Sequence, residues 1–334
     1  MKIAIFEATA EDQELLPTFL PDLELAWFEE KLKPETVALA EGCEVISVFV
    51  NSQIDRAVIE ALPELKLIAT RSTGFDHIDT KVAGERGINI TNVPGYGSRS
   101  VAEFTFALML TLSRRIFTAH SQIRSVGTFT FDGLEGFDLF GKTLGIVGTG
   151  NIGRNVARIA VGFGMKVIGY DGKPDEKLAS ELGFSYAPLP ELLANSDIVT
   201  LHLPYNPETH HIINRGNIYQ MRPGSYLINT ARGELIETDA LVEALQKKHL
   251  AGAGMDVLEG EHELKEEMEL ITKDQSMKNV KTILEDHVLM ELPQVVITPH
   301  IAFFSKEAKL QIIKTTAENI LAWQAGRSSN LVGK

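Results

Sequence analysis

Arg232 in the run NTARG, His300 in ITPH and a carboxylate from Glu259, Glu261 or Glu263 are the side chains here best suited to acid–base work on an anionic substrate. Arginine offers a planar, permanently charged fork that can grip a carboxylate through two parallel hydrogen bonds and polarise a neighbouring carbonyl. Histidine can give or take a proton near neutral pH. A carboxylate bonded to that histidine would fix its tautomer and favour its protonated form. Spacing alone does not choose among the three glutamates. Most of the 9 histidines have no chemical context of this kind. His210 and His211 are adjacent in a loop with no matching cysteine or carboxylate pattern, so they are read as solvent-facing or packing residues, and no metal is expected.

These groups move protons but carry no electrons. A carrier is supplied by a second pattern, GIVGTGNIG at 145–153. The apolar residues Leu144, Ile146 and Val147 read as a buried strand, and a helical pattern over 154–163 follows the loop. Gly148 would make the tight strand-to-helix turn, Gly150 would let backbone approach a pyrophosphate, and Gly153 would let helix pack on strand. Eighteen positions after Gly153 a second apolar run ends in Asp171. A carboxylate there can bond the ribose hydroxyls of NAD and repels the extra phosphate of NADP. A nicotinamide exchanges hydride, so the protein must add a grip on the substrate and a proton for its oxygen. Arg232, His300 and a carboxylate would then suit reduction of a 2-oxo acid.

Positioning these groups is a task for strand ends. Over 1–94 short apolar runs (3–6, 45–50, 65–69, 88–91) alternate with helical stretches, 55–62 being the clearest, as in a parallel α/β sheet. One strand runs straight into Arg71-Ser72-Thr73-Gly74, at the carboxyl edge where open α/β sheets bind ligands. Ser100 is a plausible N-cap for a long helix over 101–116 whose apolar residues almost encircle it, so it is expected to be buried. From 142 the alternation restarts, with further strands expected at 198–201, 226–229, 252–257 and 295–298 and helices at 189–194, 218–221 and 239–247. These strands end in His202-Leu203-Pro204, Thr230-Ala231-Arg232-Gly233, Asp256 and Pro299-His300, which a doubly wound sheet would bring to one rim facing the cofactor. The charged stretch 259–291 reads mostly as a solvated excursion. The amphipathic segment 305–326 is expected to fold back onto the first domain.

The 334 residues are enough for about two domains. With 32 basic and 45 acidic residues the formal charge is -13, which disfavours nucleic acid and anionic membrane surfaces as partners. Hydrophobic residues at 44% and charged residues at 23% are ordinary for a globular chain. The single Cys43 excludes an internal disulfide and fits a reducing compartment. No signal-peptide core and no membrane-length apolar run is evident, so a soluble, cytoplasmic protein is expected.

Over essentially its whole length the chain resembles the D-isomer-specific 2-hydroxyacid dehydrogenases, through RSTGFDHID (71–79), VPGYGSRSVAE (93–103), GIVGTGNIG (145–153), LINTARGELI (227–236), GMDVLEGE (254–261) and ITPHIAFF (297–304). The resemblance implies two doubly wound parallel-sheet α/β domains with a cleft between them. One is a flavodoxin-like substrate domain (1–99 and 302–334), the other a Rossmann NAD-binding domain (100–301). It implies that Arg232 binds the substrate carboxylate and carbonyl, that His300 is the acid/base and that Glu261 is its partner. It gives Asp171 to the ribose, and Asn151 and Ile152 to the pyrophosphate beside Gly148, Gly150 and Gly153. Leu203, Pro204, Thr209, Thr230 and Asp256 go to the rest of NAD, with Ala231 and Arg232 at the same strand end as Thr230. Thr73, Gly74 and Tyr96 map onto substrate-side loops. Within the family the chain looks most like members that interconvert pyruvate and D-lactate. Two features carry that likeness: the long charged connection between Glu261 and His300, and the pair Phe303-Phe304, in which Phe304 helps form an aromatic lid suited to a methyl side chain. Gly97-Ser98 and Phe104 depart from those members, which often have Ser-Pro and His there. The alternatives are a bulkier 2-oxo acid (phenylpyruvate, 2-oxoisocaproate, hydroxypyruvate) and an NAD-sensing protein like the family's co-repressors. A homodimer through the nucleotide domains is also implied.

Overall fold

The computed structural model describes residues 1–261, 286–327 and 329–333. Most of the charged stretch 259–291, with Glu263, lies outside them. The chain divides into two compact units, Met1–Tyr96 with Phe304–Lys334, and Gly97–Phe303.

The first unit is built on strands β1 (Lys2–Ile5), β2 (Glu24–Trp27), β3 (Val45–Val48), β4 (Leu67–Thr70) and β5 (Asn89–Thr91). They lie parallel in the order 2-1-3-4-5, the flavodoxin-like order, and β13 (Leu331–Val332) adds an antiparallel edge to β5. Strands β3 and β4 are buried at every position, because both faces of the sheet are covered. Ala4, Ile46, Ile68 and Ile90 share one core with Val58, Ile59 and Val82. The alternate residues Ile3, Ile5, Val45, Leu67 and Ala69 share the other with Leu16 and Leu20, and with Ile313, Ala317 and Ile320 of the helix Lys306–Gln324. That helix starts where the Ser305 hydroxyl accepts from the Ala308 amide at 3.2 Å.

The second unit carries a seven-stranded, all-parallel sheet: β6 (Thr143–Val147), β7 (Lys166–Tyr170), β8 (Ser185–Tyr186), β9 (Ile198–Leu201), β10 (Ser225–Asn229), β11 (Leu250–Met255) and β12 (Val295–Ile297). Its spatial order is β12-β11-β10-β9-β6-β7-β8. Counted within the unit this is the Rossmann order 3-2-1-4-5-6 with one strand added, and the direction of winding reverses between β6 and β9.

Several expectations need correction. The long helix is Ser98–Ser113, with Gly97 at its N-cap, so Ser100 lies inside it and caps nothing. It stops because Arg115 takes a left-handed conformation (φ 49°), after which a separate helix, Ile116–Val126, begins. It is buried on one face only: Ala107 is exposed, and Phe104, Leu110 and Leu112 are half-buried. The glycine-loop helix is Asn151–Gly162, three residues earlier at its start, because Gly150 is its N-cap. Residues 218–220 make a single 3₁₀ turn. Strands β2, β8 and β13 are too short or too polar to show an apolar run. Among the described residues no helix is long and apolar enough to cross a membrane.

Candidate active site

The glycine loop leaves β6 at Val147 and enters the helix Asn151–Gly162 at once. Gly148 has φ +96°, and a Cβ on it would sit 2.8 Å from the carbonyl of His202 at the end of β9. Only glycine satisfies both constraints. A Cβ on Gly153 would collide with the Gly148 carbonyl oxygen, so this glycine lets the helix lie against the strand. Around Gly150, in contrast, a Cβ would meet nothing within 4 Å. The open side of the loop is thus at the helix N-terminus, where main-chain N–H groups and the helix dipole favour phosphate. Asn151 and Ile152 form the first turn. This cradle fits a dinucleotide pyrophosphate on its own geometry.

Asp171 follows β7. Its Oδ2 accepts from the Thr149 amide (2.7 Å) and hydroxyl (3.1 Å), and its Oδ1 from the Lys173 amide (2.9 Å). The Thr149 hydroxyl also meets Tyr186 Oη at 2.8 Å, which ties β8 into the same network. Thr149 and Tyr186 went unnoticed in the sequence because their partnership depends on strand order.

Four further strand ends, those of β9, β10, β11 and β12, stand on the same carboxyl rim. After β9, Thr209 Oγ1 donates to the Pro204 carbonyl at 2.7 Å and closes the loop that follows Leu203. His202, buried there, is pushed down from 6.5 to about 3 by burial, so its imidazole is neutral. After β10, Thr230 Oγ1 meets Thr105 Oγ1 at 3.0 Å, and Asn229 Oδ1 accepts from the Ala231 amide at 3.0 Å. Asn229 Nδ2 donates to the Arg232 carbonyl at 2.7 Å, and Arg232 Nη1 donates to the Ala231 carbonyl at 2.7 Å. A Cβ on Gly233 would lie far inside contact distance of the Leu258 carbonyl and the Glu259 nitrogen. The two segments therefore cross backbone to backbone. This crossing gathers charge: burial lifts the Glu234 carboxyl above its usual range, Glu261 and Glu259 add to the lift, and Arg232 opposes it.

His300 is held in the left-handed region, φ 56°. Its amide donates to the Asp256 carbonyl at 2.8 Å. The Asp256 carboxylate fastens the rest of the turn, Oδ1 accepting from Thr298 Oγ1 (2.5 Å) and the Ile301 amide (3.0 Å), and Oδ2 from the Ala302 amide (2.8 Å). Burial lifts Asp256 above its usual range, while these donors and nearby His300 pull it back. So mounted, His300 Nδ1 meets Glu261 Oε1 at 2.7 Å. Glu259 faces elsewhere: its Oε1 meets His211 Nε2 at 2.8 Å and its Oε2 accepts from Thr238 Oγ1 at 2.9 Å. His211 therefore has a carboxylate partner as well as a packing role, its ring stacking on that of His210 with centroids 3.8 Å apart. The Phe303 ring stands edge-on to the imidazole, centroids 6.3 Å apart.

Thr73, Gly74, Tyr96 and Phe304 belong to the first unit. The Thr73 hydroxyl donates to the Val93 carbonyl at 2.8 Å, and Phe304 lies under the Lys309 ammonium, 5.1 Å from its ring centroid.

A family model described as D-isomer specific 2-hydroxyacid dehydrogenase, NAD binding domain, matches residues 106–302. The chain belongs to the D-isomer-specific 2-hydroxyacid dehydrogenases. As a member it is an NAD-dependent oxidoreductase, and its second unit is the NAD-binding Rossmann domain. It is 38% identical to a 2-hydroxyacid dehydrogenase homolog of Haemophilus influenzae, over 98% of this chain and 97% of that one. It is 36% identical to D-lactate dehydrogenase of Escherichia coli, over 98% of each. A solved structure of D-lactate dehydrogenase from Aquifex aeolicus, complexed with NAD and lactic acid, matches with TM-score 0.86 and 36% identity over 99% of both chains.

Proposed function

We propose that this dehydrogenase reduces pyruvate to D-lactate, reversibly. The observation that carries the reading is the His300–Glu261 pair at 2.7 Å with Phe303 edge-on beside it: an acid/base flanked by an aromatic ring favours a substrate with a small side chain. The D-lactate dehydrogenases among the relatives support it.

Gly148, Gly150, Asn151, Ile152 and Gly153 would hold the pyrophosphate, Asp171 the ribose, and Leu203, Pro204, Thr209, Thr230, Ala231, Arg232 and Asp256 the remainder of NAD. Bound NADH supplies the hydride that the carbonyl carbon receives. Arg232 grips the substrate carboxylate and draws charge toward the carbonyl oxygen. Because Glu261 occupies Nδ1, the proton crosses at Nε2. In reduction the imidazolium gives its Nε2 proton to the developing alkoxide and becomes a neutral imidazole, with Nδ1–H still bonded to Glu261. In oxidation the same nitrogen takes the hydroxyl proton. The main chain at Thr73 and Gly74 binds the carboxylate, and Tyr96 and Phe304 complete the substrate side.

The chain is further proposed to work as a homodimer. Ile116, Phe117, Ile123, Val126, Phe129, Phe131 and Phe140 are each half exposed or more, a concentration of apolar surface within one stretch of the second unit that suits a second copy.

Comparing kcat/KM for pyruvate, hydroxypyruvate, phenylpyruvate and 2-oxoisocaproate with NADH tests the substrate. Pyruvate should lead, and D- but not L-lactate should be oxidised; preference for a bulkier acid refutes the assignment. His300→Gln should abolish turnover and leave NADH binding intact.

A further inference from the structure

In the loop after β4, three consecutive carbonyls are held by protein donors. The Ser72 carbonyl accepts from the Val93 amide at 2.9 Å. The Thr73 carbonyl accepts from Asn92 Nδ2 at 2.7 Å. The Gly74 carbonyl accepts from the Ser72 hydroxyl at 2.6 Å. In a planar trans peptide the N–H points opposite to the carbonyl of the same unit. The amides of Thr73, Gly74 and Phe75 therefore turn away from the groups that hold those carbonyls, and none of the three donates to a described residue. Successive main-chain N–H groups displayed in this way form an anion-binding nest. Thr73 is exposed and Gly74 and Phe75 are half-buried, so the nest is accessible.

The groups that fix it lie far off in sequence. The Asn92 carbonyl accepts from Asn319 Nδ2 at 2.8 Å, across 227 residues of chain. Asn319 Oδ1 accepts from Asn330 Nδ2 at 2.8 Å, and the Asn330 carbonyl accepts from the Asn92 amide at 3.1 Å. Asn319 is 1% exposed and Asn92 7%. Asparagine is a poor helix former, and a buried amide is tolerated only when bonded. Asn319 meets both demands, within the helix Lys306–Gln324, by bonding in two directions.

We propose that Asn92, Asn319 and Asn330 are positioning residues that hold Thr73, Gly74 and Phe75 as a three-amide cradle for the carboxylate of the 2-oxo acid. The C-terminal helix and strand thereby set substrate affinity without touching substrate. The inference rests on the reading of Thr73 and Gly74 as carboxylate-binding in the proposed reaction.

Asn92→Asp replaces the donor to the Thr73 carbonyl with an acceptor of nearly the same shape. With the best 2-oxo acid of the panel, KM and the inhibition constant of oxamate should rise together by about 10- to 100-fold, the range for a lost hydrogen bond to a charged group. kcat and the Kd of NADH should stay near wild type. Asn330→Gly keeps the left-handed backbone (φ 50°) and removes only the far link. Its KM and oxamate constant should rise in the same sense by less, with a modestly lower melting temperature because the buried Asn319 Oδ1 loses its donor. Wild-type KM and oxamate affinity in either folded variant, or a loss confined to kcat, overturns the relay; if Asn92→Asp does not fold, Asn330→Gly alone decides. A wild-type protein that turns over no 2-oxo acid overturns the proposed reaction instead.

Discussion

Gly233→Ala perturbs the backbone crossing that delivers Glu261 to His300. The added Cβ would meet the Leu258 carbonyl carbon, its oxygen and the Glu259 nitrogen at well under 3.0 Å. Carbon contacts settle at about 3.5 Å, so one segment must retreat by more than about 1 Å. None of the three atoms belongs to a flexible side chain. Glu259 is also held by His211 and Thr238, which leaves the main chain as the part that moves. A shift of about 1 Å at a catalytic group costs on the order of 100-fold in rate, and overpacking costs about 1–3 kcal/mol of stability. We expect kcat for the 2-oxo acid to fall by roughly that factor, with NADH affinity, measured by fluorescence titration, falling much less, because the glycine loop is untouched although Ala231, Arg232 and Asp256 adjoin the crossing. Gly150→Ala is the counterpart: its Cβ meets nothing within 4 Å, so it should fold normally and lose NADH affinity instead. A folded Gly233→Ala protein with wild-type kcat would show that the crossing does not set the position of Glu261.

His202 gives a pH signature. Its folded value, about 3, lies below the 6.5 of the unfolded chain, so the folded state refuses a proton that the unfolded state accepts. Its stabilising contribution is complete above 6.5 and falls by about 1.4 kcal/mol per pH unit below it, or roughly 2 kcal/mol by pH 5. Urea unfolding should show that slope in wild type and a shallower one in His202→Gln; equal slopes would contradict it. Asp171→Ser removes the carboxylate that Thr149 and the Lys173 amide hold in place, and should raise the NADPH-to-NADH ratio of kcat/KM by at least about tenfold, the scale of one charge–phosphate clash; an unchanged ratio would take coenzyme choice away from Asp171. Asp256→Asn sets a donor against the amides of Ile301 or Ala302, so kcat should fall by about 10- to 100-fold with a lower melting temperature, and a variant matching wild type in both would remove its anchoring role.

The glycine loop and the strand ends were legible in the sequence because each is a short local pattern, an apolar run followed at once by glycines or polar residues. Gly148, Gly150 and Gly153 differ in what a Cβ would meet, and the motif spacing alone separates their duties. Alternation of strand and helix indicated parallel α/β sheets, whereas the flavodoxin-like and Rossmann arrangements were implied by the family resemblance, and the orders 2-1-3-4-5 and 3-2-1-4-5-6 are read from the structure. Where the reading failed, a short element or a distant partner was responsible. Ser100 looked like a cap because a serine precedes an apolar run, yet the helix begins two residues earlier at Ser98. Strand β2 shows no buried run, since its four residues are exposed or half-buried at an edge.

The proposed acid/base, His300, illustrates the harder limit. Sequence places His300 beyond a strand and resemblance names its partner, but neither reveals a left-handed backbone at a residue other than glycine. Such a conformation persists only where surroundings over-determine it. Here they do: the Asp256 carbonyl takes the His300 amide, and the Asp256 carboxylate takes the next two amides and the Thr298 hydroxyl. An acidic residue at a strand end facing NAD was read as a cofactor ligand, and its three bonds to the turn give it a second duty independent of the first. The two duties separate in one variant: Asp256→Asn retains oxygen for a cofactor contact but cannot accept at both ends of the turn. A loss in kcat larger than the loss in NADH affinity would therefore assign Asp256 mainly to the geometry of His300.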